Sequence, residues 1–263
     1  MANRMIMGKY IETGSCIHRL DPRAKTLAML LYMAAVFLVR SAAELALLAA
    51  FSAAVMAATR IPFRLYLRSL RPLLFLMLFI FVFHVLFDTS GNWSVNLGPV
   101  RLYSGGVQKG FMSVARMVLF VAYTAVLTLT TPPLLLTQAL ESLMKPLALF
   151  RISPRKVTLM LTTALRFIPT VFEEAQKILR AQASRGMDLA DQKLLQKARL
   201  LISLLVPVTA GAIRRAAELV DSMEARGYRL HHPRTRFHVL HWSWRDTLFL
   251  AATSLMVLAT LLI

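Results

Sequence analysis

Apolar residues gather in five long runs, at positions 24–39, 45–58, 73–87, 107–131 and 247–263. Inside hydrocarbon every backbone N–H and C=O must be bonded within its own segment, so runs of this length predict membrane-spanning helices. The first two are short for a core of ~30 Å unless the flanking Lys25, Arg40 and Arg60 extend their charges toward the headgroups. Strand signals are nearly absent. The expected fold class is an all-α integral membrane protein with about five transmembrane helices and a set of long amphipathic helices inserted before the last one. This divides the chain into a four-span membrane region at 1–131, a cytoplasmic or interfacial region at 132–244 and a C-terminal transmembrane helix at 245–263.

The inserted region changes period. Leu136, Leu140, Leu143, Met144 and Leu147 alternate with Gln138, Glu141 and Lys145, which predicts an amphipathic helix over 134–150 lying along the membrane surface. Two longer segments follow and end alike. From Pro169, the residues Val171, Phe172, Ala175, Ile178, Leu179 and Ala183 share one face, while Glu173, Glu174, Lys177 and Arg180 cover the other. From Pro207, the stripe is Ala212, Ala216, Val220 and Met223, with Arg214 and Glu218 at a supporting spacing. The first closes with Ser184-Arg185-Gly186 and the second with Ala225-Arg226-Gly227, a degenerate internal repeat.

Composition supports the membrane reading: 57% of residues are hydrophobic and the mean hydropathy is +0.59, above the ~45–50% apolar usage of soluble domains. Charge supplies orientation. The 31 Lys and Arg outnumber the 13 Asp and Glu, giving a net charge of +18. Such an excess fits nucleic-acid binders, but it also fits the cytoplasmic loops of membrane proteins, and the hydropathy favours the latter, with no nucleic-acid partner. Arg60, Arg64, Arg68 and Arg71 fall in one acid-free segment, which is placed in the cytoplasm together with the N-terminal Arg4, Lys9, Arg19, Arg23 and Lys25. The segment 88–106, with Asp88 balanced by Arg101, is then external, and 132–244 is cytoplasmic. The polar character of residues 1–25 predicts no cleaved leader.

Glycine adopts the left-handed conformation that closes a helix at low cost, so Gly186 and Gly227 are predicted stops. An Arg in a last turn also complements the helix dipole, which explains one such ending without any partner. Two copies, each with a small residue before the Arg and Gly after it, describe a docking peg. The tip is narrow enough to enter a pocket, where the guanidinium can pair bidentately with a carboxylate.

These endings, with the opening Gly8-Lys9-Tyr10 and the stretch His18-Arg19-Leu20-Asp21-Pro22-Arg23-Ala24-Lys25, resemble the transmembrane T component of energy-coupling factor transporters, a family related to the cobalt permease subunit. The resemblance covers essentially the whole chain; Ser184 stands where the family more often has Ala. It implies that the two long helices are coupling helices beneath the membrane, with Ser184, Arg185, Gly186, Ala225, Arg226 and Gly227 docking into two ABC ATPase subunits. It further implies a separate membrane-embedded S component that captures a vitamin or micronutrient. ATP is expected on the ATPase partners, with no cofactor in this chain, and the location is the bacterial cytoplasmic membrane. The opening looks more like a T component shared among S components than one dedicated to cobalt, nickel or biotin.

No Gly-x-x-x-x-Gly-Lys-Ser/Thr loop occurs, so the phosphate cradle for nucleotide hydrolysis must belong to another chain. The single Cys16 permits no internal disulfide. His84, near the end of the third run, reads as a satisfied or interfacial residue, and His231, His232, His238 and His241 lack regular metal-ligand spacing. A membrane-bound enzyme would need convergent acids and a nucleophile, whereas the acids here share helix faces with Lys and Arg. A secondary transporter would place its repeat inside the membrane.

Overall fold

The computed structural model describes residues 10–90, 94–97, 100–146, 153–184, 194–229 and 240–262. Its described residues are overwhelmingly helical, and four helical stretches are long and apolar enough to cross a bilayer: Ala42–Thr59, Phe63–Phe87, Ser104–Thr130 and Trp244–Leu262. Preceding them, α1 (Pro22–Leu38) has 17 residues and corresponds to the first predicted run.

Local chemistry sets the helix ends. Pro22 opens α1 where a missing N–H costs nothing, and the Asp21 carboxylate accepts from the Arg23 N–H at 2.8 Å. At α2 (Ala42–Thr59), Ser41 Oγ accepts from the Glu44 N–H while the Glu44 carboxylate accepts from the Arg40 N–H, a reciprocal capping box. After α2 the chain re-enters helix at α3 (Phe63–Leu70), makes one 3₁₀ turn at Arg71–Leu73 and continues as α4 (Leu74–Phe87). The acid-free segment expected as a loop is therefore mostly helix, and it joins the third span. Pro72 removes a backbone donor at the junction, where a 3₁₀ turn accommodates it. Exposed Arg64, Arg68 and Arg71 line this stretch.

Where the third span turns back, the sequence reading missed a short antiparallel hairpin, β1 (Ser94–Leu97) with β2 (Val100–Tyr103), paired Ser94 to Tyr103 and Leu97 to Val100. Four-residue strands carry too little alternation to register in a hydropathy pattern. Asp88 pairs with Lys109 in the first turns of the next helix, at 2.7 Å. The helix that follows, α5 (Ser104–Thr130), packs its first turns closely on α4. A Cβ at Gly106 would lie 2.6 Å from the His84 carbonyl oxygen, and one at Gly110 would lie 3.1 Å from the Phe81 ring. Small residues four apart allow two backbones to approach in a membrane.

The core lies among α1, α2, α5 and α9 (Trp244–Leu262). Tyr32 and Tyr123 stack with ring centroids 4.0 Å apart, and the Tyr32 hydroxyl donates to the Leu48 carbonyl at 3.2 Å. On α4, by contrast, Met77 is the one buried residue and Phe75 is 81% exposed, which is the pattern of a helix meant for lipid. In α6 (Pro133–Leu143), Thr137, Ala139 and Glu141 face inward while Leu134 and Leu140 are exposed. This helix packs against α1, and of the predicted stripe Leu140 is exposed while Leu136, Leu143 and Met144 are half-buried. Its last predicted turn, from 147 on, is outside the described residues.

The described chain separates into two compact units: residues 10–155 with 240–262, and residues 156–229.

Candidate functional site

The second unit is built from α7 (Pro154–Ser184) and α8 (Leu194–Ala225), of 31 and 32 residues. Both run through the prolines that could either start or kink them: Pro169 and Pro207 are interior, each removing one main-chain hydrogen bond from a continuous helix. No side chain of α7 is buried, Met160 is 69% exposed, and Ile213 on α8 is 71% exposed. Large apolar side chains exposed along both helices call for a partner surface or the bilayer.

One polar contact ties the two helices together. The Arg215 guanidinium of α8 donates to the Glu174 carboxylate of α7, and Gly211, one turn before Arg215, leaves the space that the carboxylate occupies. A Cβ at Gly211 would lie 2.8 Å from Glu174 Oε1. The sequence reading put Glu174 on a solvated face and matched Arg214 with Glu218; the structure sends Glu174 across to the next arginine instead.

At the end of α8 the chain closes as the spacing predicts. The Tyr228 N–H donates to the Met223 carbonyl at 2.9 Å and the Gly227 N–H to the Glu224 carbonyl at 2.8 Å, with Gly227 at φ +73. This is the paired-bond ending in which a left-handed glycine satisfies the last carbonyls. Arg226 sits at the cap itself, exposed between exposed Ala225 and Gly227. Its guanidinium thus projects from the tip. At the end of α7, Ser184 is the last helical residue and its hydroxyl donates to the Arg180 carbonyl at 3.1 Å. Arg185 and Gly186 lie outside the described residues.

The N-terminal motif occupies a different site. Lys25 is buried, and its ammonium donates to the His18 carbonyl at 3.1 Å and to the Thr130 carbonyl and Thr131 hydroxyl at 3.4 Å. Asp246, 1% exposed, accepts from the Asp21 N–H and the Ser243 N–H, both at 2.7 Å. The motif therefore fastens the start of α1 to the first turn of α9 and to the α5–α6 junction. Asp246 was missed by sequence reasoning; the available signal was an acid immediately before the last apolar run.

The histidines find ordinary partners. His84 Nδ1 bonds the Ile80 carbonyl at 2.9 Å, while His18 bonds the Ile11 carbonyl through Nε2 and the Ser15 hydroxyl through Nδ1, both at 2.7 Å. Among the described residues no three His, Cys, Asp or Glu side chains form a metal site. His231, His232 and His238 fall outside them. Cys16 is exposed.

A family model described as cobalt transport protein, CbiQ, matches residues 13–239. The energy-coupling factor transporter transmembrane protein EcfT of Bacillus subtilis (strain 168) is 38% identical over 262 residues, spanning 100% of this chain and 98% of the relative. The protein of the same description from Listeria innocua is 39% identical over 262 residues, with the same coverage. That from Streptococcus thermophilus is 38% identical over 250 residues, 95% of each chain. A membrane-spanning bundle that carries two long, uncovered amphipathic helices thus meets full-length relatives of one kind, and the chain belongs to the CbiQ/EcfT family as a transmembrane component of an energy-coupling factor transporter.

Proposed function

We propose that this chain transmits movement from two ABC ATPase subunits to a membrane-embedded S component during uptake of a vitamin or micronutrient. The observation that carries the proposal is the α8 tip, where Arg226 stands exposed at a glycine-closed helix end with exposed Ile213 and Val220 along the helix that leads to it. Arg226 enters a groove on one ATPase and pairs with a carboxylate there; Arg185, at the matching position of the repeat, does the same on the other. Ser184, Gly186, Ala225 and Gly227 keep the tips narrow. ATP binds to the ATPases, whose closure draws the tips together, and α7 and α8 carry the displacement toward the S component through their apolar faces. The chain itself performs no catalysis. Its N-terminus and coupling helices lie in the cytoplasm, as the distribution of Lys and Arg requires.

Photo-cross-linking from Ala225 in intact membranes tests this reading. The expected product joins the chain to an ATPase subunit in an ATP-sensitive yield, and cross-links to lipid alone would contradict it. Two adjacent ATPase genes with no S-component gene beside them would mark a shared module, and a cobalt, nickel or biotin partner alongside would mark a dedicated one.

A further inference from the structure

Arg116 lies midway along α5, flanked by apolar residues of a span. A charge within a span is costly and needs partners. One is present: Nη2 donates to the Val39 carbonyl, which closes α1. Nε is enclosed and has no partner, and no described carboxylate forms an ion pair with the guanidinium. Beside it opens a groove of about 400 Å³ lined by Val36, Phe37, Ser113, Met117 and Phe120. A second groove of about 470 Å³ continues along α5 to Thr128 and Leu129, and the two share Leu73, Phe120 and Val121. From Ser113 to Leu129 the helix rises about 24 Å, more than the ~15 Å of hydrocarbon in one leaflet.

We propose that Arg116, with Ser113, binds the phosphate of a glycerophospholipid whose acyl chain lies in this groove. The level fits a headgroup: α1 ends at Val39 and exposed Arg40 starts the turn to α2, so the Arg116 guanidinium lies level with the end of α1, beside a flanking charge expected to reach toward the headgroups. An anionic headgroup supplies the charge that the fold lacks, and an apolar tail covers surface that the chain leaves open. A helix of another protein would cover the groove without meeting the guanidinium unless it carried an acid at that depth.

The full-length chain, purified in mild detergent and stripped of lipid, is incubated with dioleoylphosphatidylglycerol or with dioleoylglycerol, which has the same tails and no phosphate, and examined by native mass spectrometry. The wild type is expected to retain one phosphatidylglycerol and at most a tenth as much diacylglycerol. Arg116→Gln should lower phospholipid retention at least tenfold. Ser113→Trp, which fills the groove and leaves the arginine in place, should do the same even if the first variant folds poorly. Equal retention of the two lipids by the wild type, undiminished phospholipid on Ser113→Trp, or a photo-cross-link from Val121 to protein instead of lipid would overturn the proposal.

Discussion

Glu174 and Arg215 meet across the two long helices, and the carboxylate reaches the guanidinium through the space left by Gly211. The pair is about one-third exposed on both sides, so its direct worth is at most about 1 kcal/mol. Its importance is geometric, because it is a side-chain link that joins α7 to α8 directly.

Replacing Gly211 by Leu should therefore push Glu174 off Arg215 and loosen the relation of the two tips, while both helices persist. Spin labels at Ser184 and Ala225 measure this: the distance distribution should broaden in Gly211→Leu and in Glu174→Gln. An unchanged distribution would remove the pair from the account.

Gly227 is the second specific requirement. A side chain at φ +73 costs about 1–2 kcal/mol, so Gly227→Ala should raise amide exchange at Gly227 and Tyr228 roughly tenfold, since 1.4 kcal/mol is a factor of ten. Gly227→Asn should be milder, because asparagine tolerates the left-handed region.

Asp246 gives a stability prediction. Its carboxylate accepts two backbone N–H groups at 2.7 Å, and hydrogen bonds to charged groups are worth about 1.5–3 kcal/mol. Asp246→Asn keeps the volume but sets an amide donor against one of those N–H groups. The variant should lose stability in that range, read as a lower unfolding midpoint in detergent, and Thr131→Val should lose less.

Asp88 predicts a pH response outside the spans. The Lys109 ammonium, assisted by the Ser90 hydroxyl and N–H, holds its carboxyl well below the usual carboxylate range. A depressed folded pKa means that the contribution is fully present above the unfolded value of about 3.9 and disappears as pH falls below it. Between pH 7 and 5 the Asp88 carboxyl signal in NMR should stay constant; in Lys109→Met its titration should move up toward the usual range.

Much of this was legible in the chain. The apolar runs locate the spans because hydrocarbon admits little else, and the Gly227 stop follows from the one residue that is comfortable at positive φ. Other features depend on tertiary partners that no local pattern encodes. In α6, Thr137 and Glu141 are buried while Leu134 and Leu140 are exposed, so periodicity finds the helix but leaves its buried side open. Glu174 looked solvated because its partner lies on another helix, and Asp246 gained meaning once α9 was placed beside α1. The prolines left the helix starts open, because a long helix can pass through an isolated missing donor when neighbouring turns hold, as it does at Pro169 and Pro207.

The proposed coupling depends on Arg185 and Arg226, and a detergent pull-down of ATPase subunits by the full-length chain tests it most directly. The wild type should retain the ATPases through washing, while the Arg185→Glu, Arg226→Glu double variant, still monodisperse and membrane-inserted, should lose them together with substrate uptake. Full ATPase retention by that double variant would contradict the claim.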